Sequence, residues 1–122
     1  MQPERLDLKY LWDMRDAATT VGELTTELSL DQYERTKTIR LAVERSIEII
    51  GEAARRVSPE FRAAHPEIAW SAIIATRHII AHEYGDIQHD KTWRIATVHV
   101  PRLVVQLTPI IEANPPEDIP PQ

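Results

Sequence analysis

The chain has 122 residues, no cysteine, three glycines and a formal net charge of −5 at neutral pH. That length makes one domain, able to bury about two thirds of the surface its unfolded chain exposes. The composition excludes a disulfide framework, a thiolate metal site and a thiol nucleophile. The acidic balance argues against a protein that coats nucleic acid, while leaving room for a local basic site. Residues 1–10 hold no apolar stretch, and no run approaches the ~20 residues of a membrane span. The expectation is a soluble, cytoplasmic, all-helical protein.

The first helix is predicted over about residues 6–28, where Leu11, Met14, Ala18, Val21, Thr25 and Leu28 keep a 3,4 spacing. Ser29-Leu30-Asp31-Gln32 then reads as a capping box, a short turn into an antiparallel neighbour. A long second helix follows over about residues 31–57, its buried stripe Ile39, Val43, Ile47, Ile50, Ala54 and Val57. Glu44, Arg45, Glu48 and Glu52 fall off that stripe. Gly51 interrupts it, which suggests close helix approach. Two basic groups, Arg35, Lys37 and Arg40, then Arg55, Arg56 and Arg62, read either as solvated faces or as the flanks of a groove.

Ser58-Pro59 starts a short helix that Pro66 closes, with His65 at its surface end. Trp70 opens the next helix, which runs to Tyr84 and turns at Gly85. The last helix spans about residues 89–111, with Asp90 as a possible cap and Trp93, Ala96, Val100, Val104, Leu107 and Ile111 as its apolar face. Pro101 lies inside that pattern and predicts a kink over residues 97–101. His99 reads as ordinary surface or interface, and His89, in the loop after the helix that Trp70 opens, could touch a nucleic acid although nothing in the spacing demands it. Residues 1–112 therefore form one domain, an up-and-down bundle of four main helices plus one short one. The Pro-rich acidic residues 113–122 form an extended or disordered tail. Helices this apolar in so small a domain favour a dimer.

The chemistry concentrates in Arg77-His78-Ile79-Ile80-Ala81-His82-Glu83-Tyr84. At about 100° per residue Arg77, Ile80 and Tyr84 share one helical stripe, while His78 and His82 form a second. Arg77 thus stands where the pattern expects an apolar side chain. A buried guanidinium needs an anion, because desolvating an unpaired charge costs several kcal/mol on a rough scale. Two readings follow: an ion pair with a glutamate of a neighbouring helix, such as Glu48 or Glu52, or a half-buried phosphate site in which an imidazole moves protons.

Arg77, four residues, His82, one residue, Tyr84 resembles the R-x4-H-x-Y signature of the HepT-like group in the HEPN superfamily, the RNase toxins of prokaryotic toxin–antitoxin pairs. His78, directly after the arginine, fits the polar position of that pattern, where asparagine or aspartate is commoner. The stretches Glu44-Arg45 to Ile49-Ile50-Gly51-Glu52-Ala53, Pro66-Glu67-Ile68-Ala69-Trp70 and the helix from Trp93 to Pro101 are similar too. The resemblance implies a HEPN-like fold and a homodimer that cuts single-stranded RNA without metal or cofactor, in a type VII toxin–antitoxin pair. It gives Arg77 and His82 the catalytic roles and His78 a supporting one. It also implies a partner of the MNT nucleotidyltransferase type, an antitoxin that silences the enzyme by attaching AMP to Tyr84.

Three rival readings stand beside this. His78 and His82 at i,i+4, with Glu83 adjacent, have zinc-like spacing, but no third ligand is evident. A non-catalytic nucleotide- or partner-binding subunit of a nucleotidyltransferase would use the same motif for binding. A purely structural bundle would leave Arg77 in its stripe without a reason.

Overall fold

The computed structural model describes residues 5–82 and 89–114, with the side chains of residues 77–82 outside the described part. Seven α-helices, α1 (Arg5–Thr25), α2 (Leu30–Arg35), α3 (Lys37–Arg56), α4 (Pro59–Ala64), α5 (Trp70–His82), α6 (His89–Arg94) and α7 (Val100–Glu112), account for nearly all of it. No strand occurs among the described residues. The expected all-α bundle of four main units is therefore what the chain forms. α1 packs along α3 and α7, and α3 along α5.

Periodicity placed the core well. Leu11, Met14, Ala18, Val21 and Thr25 of α1 are all buried, and so are Val43, Ile47, Ile50 and Ala54 of α3. Ala96, Val100, Leu107 and Ile111 meet them, joined by Leu103. Phe61, Ile68 and Trp70 close one end, where Trp70 Nε1 donates to the His65 carbonyl at 2.9 Å.

The capping box forms as read: Gln32 N–H donates to Ser29 Oγ at 3.1 Å, and Ser29 N–H to Gln32 Oε1 at 2.8 Å. The helix after it is not continuous, which corrects the single long element expected over residues 31–57. It breaks at Thr36, whose backbone leaves the helical region (φ −113°, ψ 88°). Thr36 Oγ1 donates to the Gln32 carbonyl at 2.7 Å, a contact that Thr20 and Thr108 also make inside unbroken helices, so it accompanies the break without explaining it. The break gives α2 its own direction and turns Tyr33 inward, fully buried.

α4 begins at its expected cap, where Ser58 Oγ accepts from Phe61 N–H at 3.2 Å. A tertiary contact reinforces it. Asp7, 4 % exposed at the start of α1, accepts from Ser58 N–H at 2.8 Å and from Ser58 Oγ–H at 2.7 Å.

Pro101 has the predicted effect in a different form. The last helix widens into a π-helical turn over Ile95–His99, and Val100 N–H reaches back to the Ile95 carbonyl. Proline lacks an N–H and crowds the carbonyl four residues earlier, and one extra residue in the turn relieves both problems. Asp90 sits in the first turn of α6 rather than at its cap. The predicted turn at Gly85 and residues 115–122 of the predicted tail lie outside the described residues. No helix among those described is long and apolar enough to cross a membrane.

Candidate functional site

α5 carries the motif. Trp70 is buried and Ile73 and Ile74 pack on the core, which fixes how the helix lies against α3. An apolar groove of about 480 Å³ runs beside it, lined by Ile47 and Ile50 of α3, Ala72, Ile73 and Thr76 of α5, and Leu103 of α7. The groove reaches the residue before Arg77.

The helix continues unbroken from Trp70 through His82. Arg77, His78 and His82 therefore share one rigid segment, and five residues at about 100° each separate Arg77 from His82 by about 140° around its axis. A helix break before His82, one way to aim both side chains at one phosphate, is not what the chain uses. Glu83 and Tyr84 lie outside the described residues.

The two glutamates considered as partners for Arg77 each hold cations of their own helix. Glu48 takes Arg45 at 3.4 Å, and Glu52 takes Arg55 at 2.7 Å and Arg56 at 3.2 Å. Those pairs also occupy two of the three arginines in the second basic group. In the first group, Arg35 pairs with Asp31 at 2.7 Å.

Arg40 behaves differently, and here the structure assembles a site that periodicity missed. Arg40 Nη1 lies 3.3 Å from Nε2 of His89, 49 residues away in the chain. Beneath them are Tyr33, fully buried, and Glu44, 8 % exposed. Glu44 was expected off the buried stripe; it is buried because α2 folds back over the first turns of α3. Burial pushes its carboxyl above the ordinary range and Glu48 adds to this, while His89 and Arg40 oppose the shift. Burial and the Glu44 charge likewise raise the Tyr33 phenol, with Arg40 opposing. Tyr33 Oη, Arg40 Nε, Glu44 Oε2 and His89 Nδ1 are all buried without a hydrogen-bond partner. The Tyr33 ring leans on Trp93 at 5.1 Å between centroids.

His65 is half-buried rather than a plain surface residue. It stacks on Phe61 at 4.4 Å, and its Nδ1 meets Glu67 Oε1 at 2.9 Å. His99 is exposed, as read. Among the described residues no group of three or more histidine, aspartate and glutamate side chains is placed to hold a metal.

The model of the family described as Ribonuclease HepT-like matches residues 14–110, from the core of α1 to the last turns of α7. The chain belongs to the HepT-like family. A Methanocaldococcus jannaschii protein whose name proposes an RNase is 34 % identical over 94 residues, covering 77 % of this chain and 86 % of the relative. A Thermococcus cleftensis protein whose name proposes a ribonuclease HepT is 31 % identical over the same share of each. A third relative, from Caldanaerobacter subterraneus subsp. tengcongensis and also named as a proposed RNase, is 29 % identical over 103 residues, 84 % of this chain and 92 % of its own. No solved structure matches. The HepT-like match covers every helix that forms the groove and both polar clusters.

Proposed function

We propose that this HepT-like chain is a metal-independent endoribonuclease toxin that cuts single-stranded RNA in a site shared between two copies. The observation that carries the shared site is the unbroken helix through His82. With Arg77 and His82 about 140° apart on one rigid segment, a second copy facing the first supplies the missing direction. Val98 and Val105, 52 % and 72 % exposed one above the other on the outer face of the last helix, give apolar surface for association.

The chemistry follows from the residue types. His82 takes the proton of a ribose 2′-hydroxyl, and the oxygen attacks the adjacent phosphorus. Arg77 stabilises the charge that grows on the phosphoryl oxygens. As the phosphorus–oxygen bond to the next nucleotide breaks, His78 or His82 of the second copy protonates the leaving 5′-oxygen. The products are a 2′,3′-cyclic phosphate and a free 5′-hydroxyl.

Control belongs to Tyr84. An antitoxin of the nucleotidyltransferase type transfers AMP from ATP to its phenol, with loss of the phenolic proton and release of pyrophosphate, and so places bulk and negative charge beside the phosphate site, in what is called a type VII toxin–antitoxin pair. Tyr84→Phe should keep both fold and cleavage while escaping that control; silencing of Tyr84→Phe by nucleotide transfer would overturn the assignment.

The deciding experiment is cleavage of a labelled single-stranded RNA by purified protein in excess EDTA, with intact mass confirming an unmodified Tyr84 and with His82→Ala alongside. Cleavage by the wild type alone supports the reading. Absence of cleavage by a folded, unmodified dimer across several RNAs would assign the chain instead to a non-catalytic subunit of a nucleotidyltransferase.

A further inference from the structure

The corner where α2, α3 and α6 meet holds a cation that no ion pair among the described residues neutralises. Arg35, Arg45, Arg55 and Arg56 each have a carboxylate between 2.7 and 3.4 Å away. Arg40 is half-buried, and none of the ion pairs among the described residues includes it. Its partner is the His89 imidazole at 3.3 Å. A guanidinium only donates, so His89 Nε2 must be the accepting atom, and its ring proton then sits on Nδ1. The contact therefore orients Arg40 without neutralising it. The second amino group of Arg40 makes no hydrogen bond among the described residues, and the exposed Lys37 and Lys91 stand in the first turns of the same two helices, α3 and α6.

Below the pair, two side chains at least nine-tenths buried, Tyr33 and Glu44, keep polar atoms without partners. Four such atoms in one place are unusual for a corner whose only task is packing, since buried polar groups are nearly always satisfied. Glu44, the buried carboxyl beside them, is pushed above the ordinary carboxylate range by burial and makes no ion pair with Arg40. Among the described residues nothing occupies the second amino group of Arg40, which leaves it open to an anion.

We propose that Arg40, held by His89, is a second phosphate-binding subsite, which takes a phosphodiester of single-stranded RNA flanking the one that is cut. This rests on the ribonuclease reading above. Arg40 presents its free amino edge to the phosphate oxygens. His89 is a positioning residue that pre-orients the guanidinium, so that less side-chain freedom is lost on binding. Glu44, buried close to Arg40, carries a negative charge at neutral pH that opposes the anion and keeps the hold weak enough for release.

The test is equilibrium binding of the full chain to a fluorescent 2′-O-methyl oligonucleotide, which has no free 2′-hydroxyl and is not cut, with thermal melting of each variant in parallel. Arg40→Gln should weaken binding about tenfold and lower the slope of log K against log salt by about one. His89→Leu should weaken it similarly, and His89→Gln, which keeps an acceptor for the guanidinium, should restore most of it. Glu44→Gln should tighten binding at neutral pH, a direction that a merely structural counter-ion would reverse. Binding by folded Arg40→Gln within twofold of the wild type would overturn the subsite. So would a wild type that does not bind the oligonucleotide, or unfolding of both Arg40→Gln and His89→Leu.

Cleavage of ordinary RNA separates this from the wider reading. Arg40→Gln should raise KM and leave kcat nearly unchanged. A wild type that binds through Arg40 without cutting would sink the ribonuclease reading and leave the subsite standing. Cutting with an unaltered KM in Arg40→Gln would do the opposite.

Discussion

The motif helix and the α2–α3–α6 corner both gather an arginine and a histidine, yet they do so by opposite means. In α5 the two residues are five apart on one unbroken helix, so their spacing is set by the helical repeat and nothing else. In the corner Arg40 and His89 are 49 residues apart and meet only because a break at Thr36 lets α2 fold back and α6 return beside it. The first arrangement is incomplete, since five steps of the helical repeat set the two positions about 140° apart around the axis. The second is complete within one chain, and its cost is burial: four polar atoms without partners and a carboxyl pushed toward neutrality. The groups proposed to react thus sit on the element that folds most locally, while the groups proposed to grip the substrate depend on the whole bundle.

Mutation of each region should give different signatures. His82→Ala is expected to lower cleavage by about 10²- to 10⁴-fold with an unchanged melting temperature, against about tenfold and mostly in KM for Arg40→Gln. Equal losses in kcat from both would merge the two regions into one site. Asp7→Ala breaks the tie between α1 and α4, far from either cluster. Loss of two hydrogen bonds to a buried carboxylate should cost about 2–3 kcal/mol in urea unfolding while leaving cleavage per folded molecule intact. A cost within error of zero would remove Asp7 from the account of the fold.

The corner also predicts a pH signature. The carboxyl of Glu44 titrates higher in the fold than in the unfolded chain, so the stability it contributes is present below its unfolded value and lost as pH rises through the folded one. Glu44→Gln should therefore stabilise the protein at neutral pH, and the gain should vanish toward acid. A gain independent of pH would mean that Glu44 is not the group responsible. The smallest effects belong to α1 and the turn that follows it. An added Cβ at Gly22 meets nothing within 4 Å, so Gly22→Ala should add up to ~1 kcal/mol. Glu27 holds a φ of 67°, and Glu27→Gly should relieve about 1 kcal/mol of strain. Neither should alter binding or cleavage, and a change in either would tie α1 to one of the two regions.

Most of the helical skeleton was legible in the sequence. The stripe from Leu11 to Thr25, the Ser29 capping box, the Ser58-Pro59 start and the disturbance before Pro101 are encoded within a turn or two of chain. The π-helical form of that disturbance was not, because proline specifies only that an ordinary turn fails. The break at Thr36 was missed because the apolar spacing runs through it as an ordinary helical pattern, and no glycine or proline marks the spot. Glu44 was misplaced for a related reason. Its own helix puts it off the apolar stripe, and only the α2 segment lying over α3 buries it.

The sequence by itself therefore determined which segments are helical, which face of each is apolar, and the R-x4-H spacing, all matters of a 3.6-residue repeat read locally. Only the tertiary structure decided that Asp7 ties α1 to α4, that Arg40 meets His89, and that Glu44 loses its water. Burial and long-range contact depend on how helices cross, which no single helix encodes.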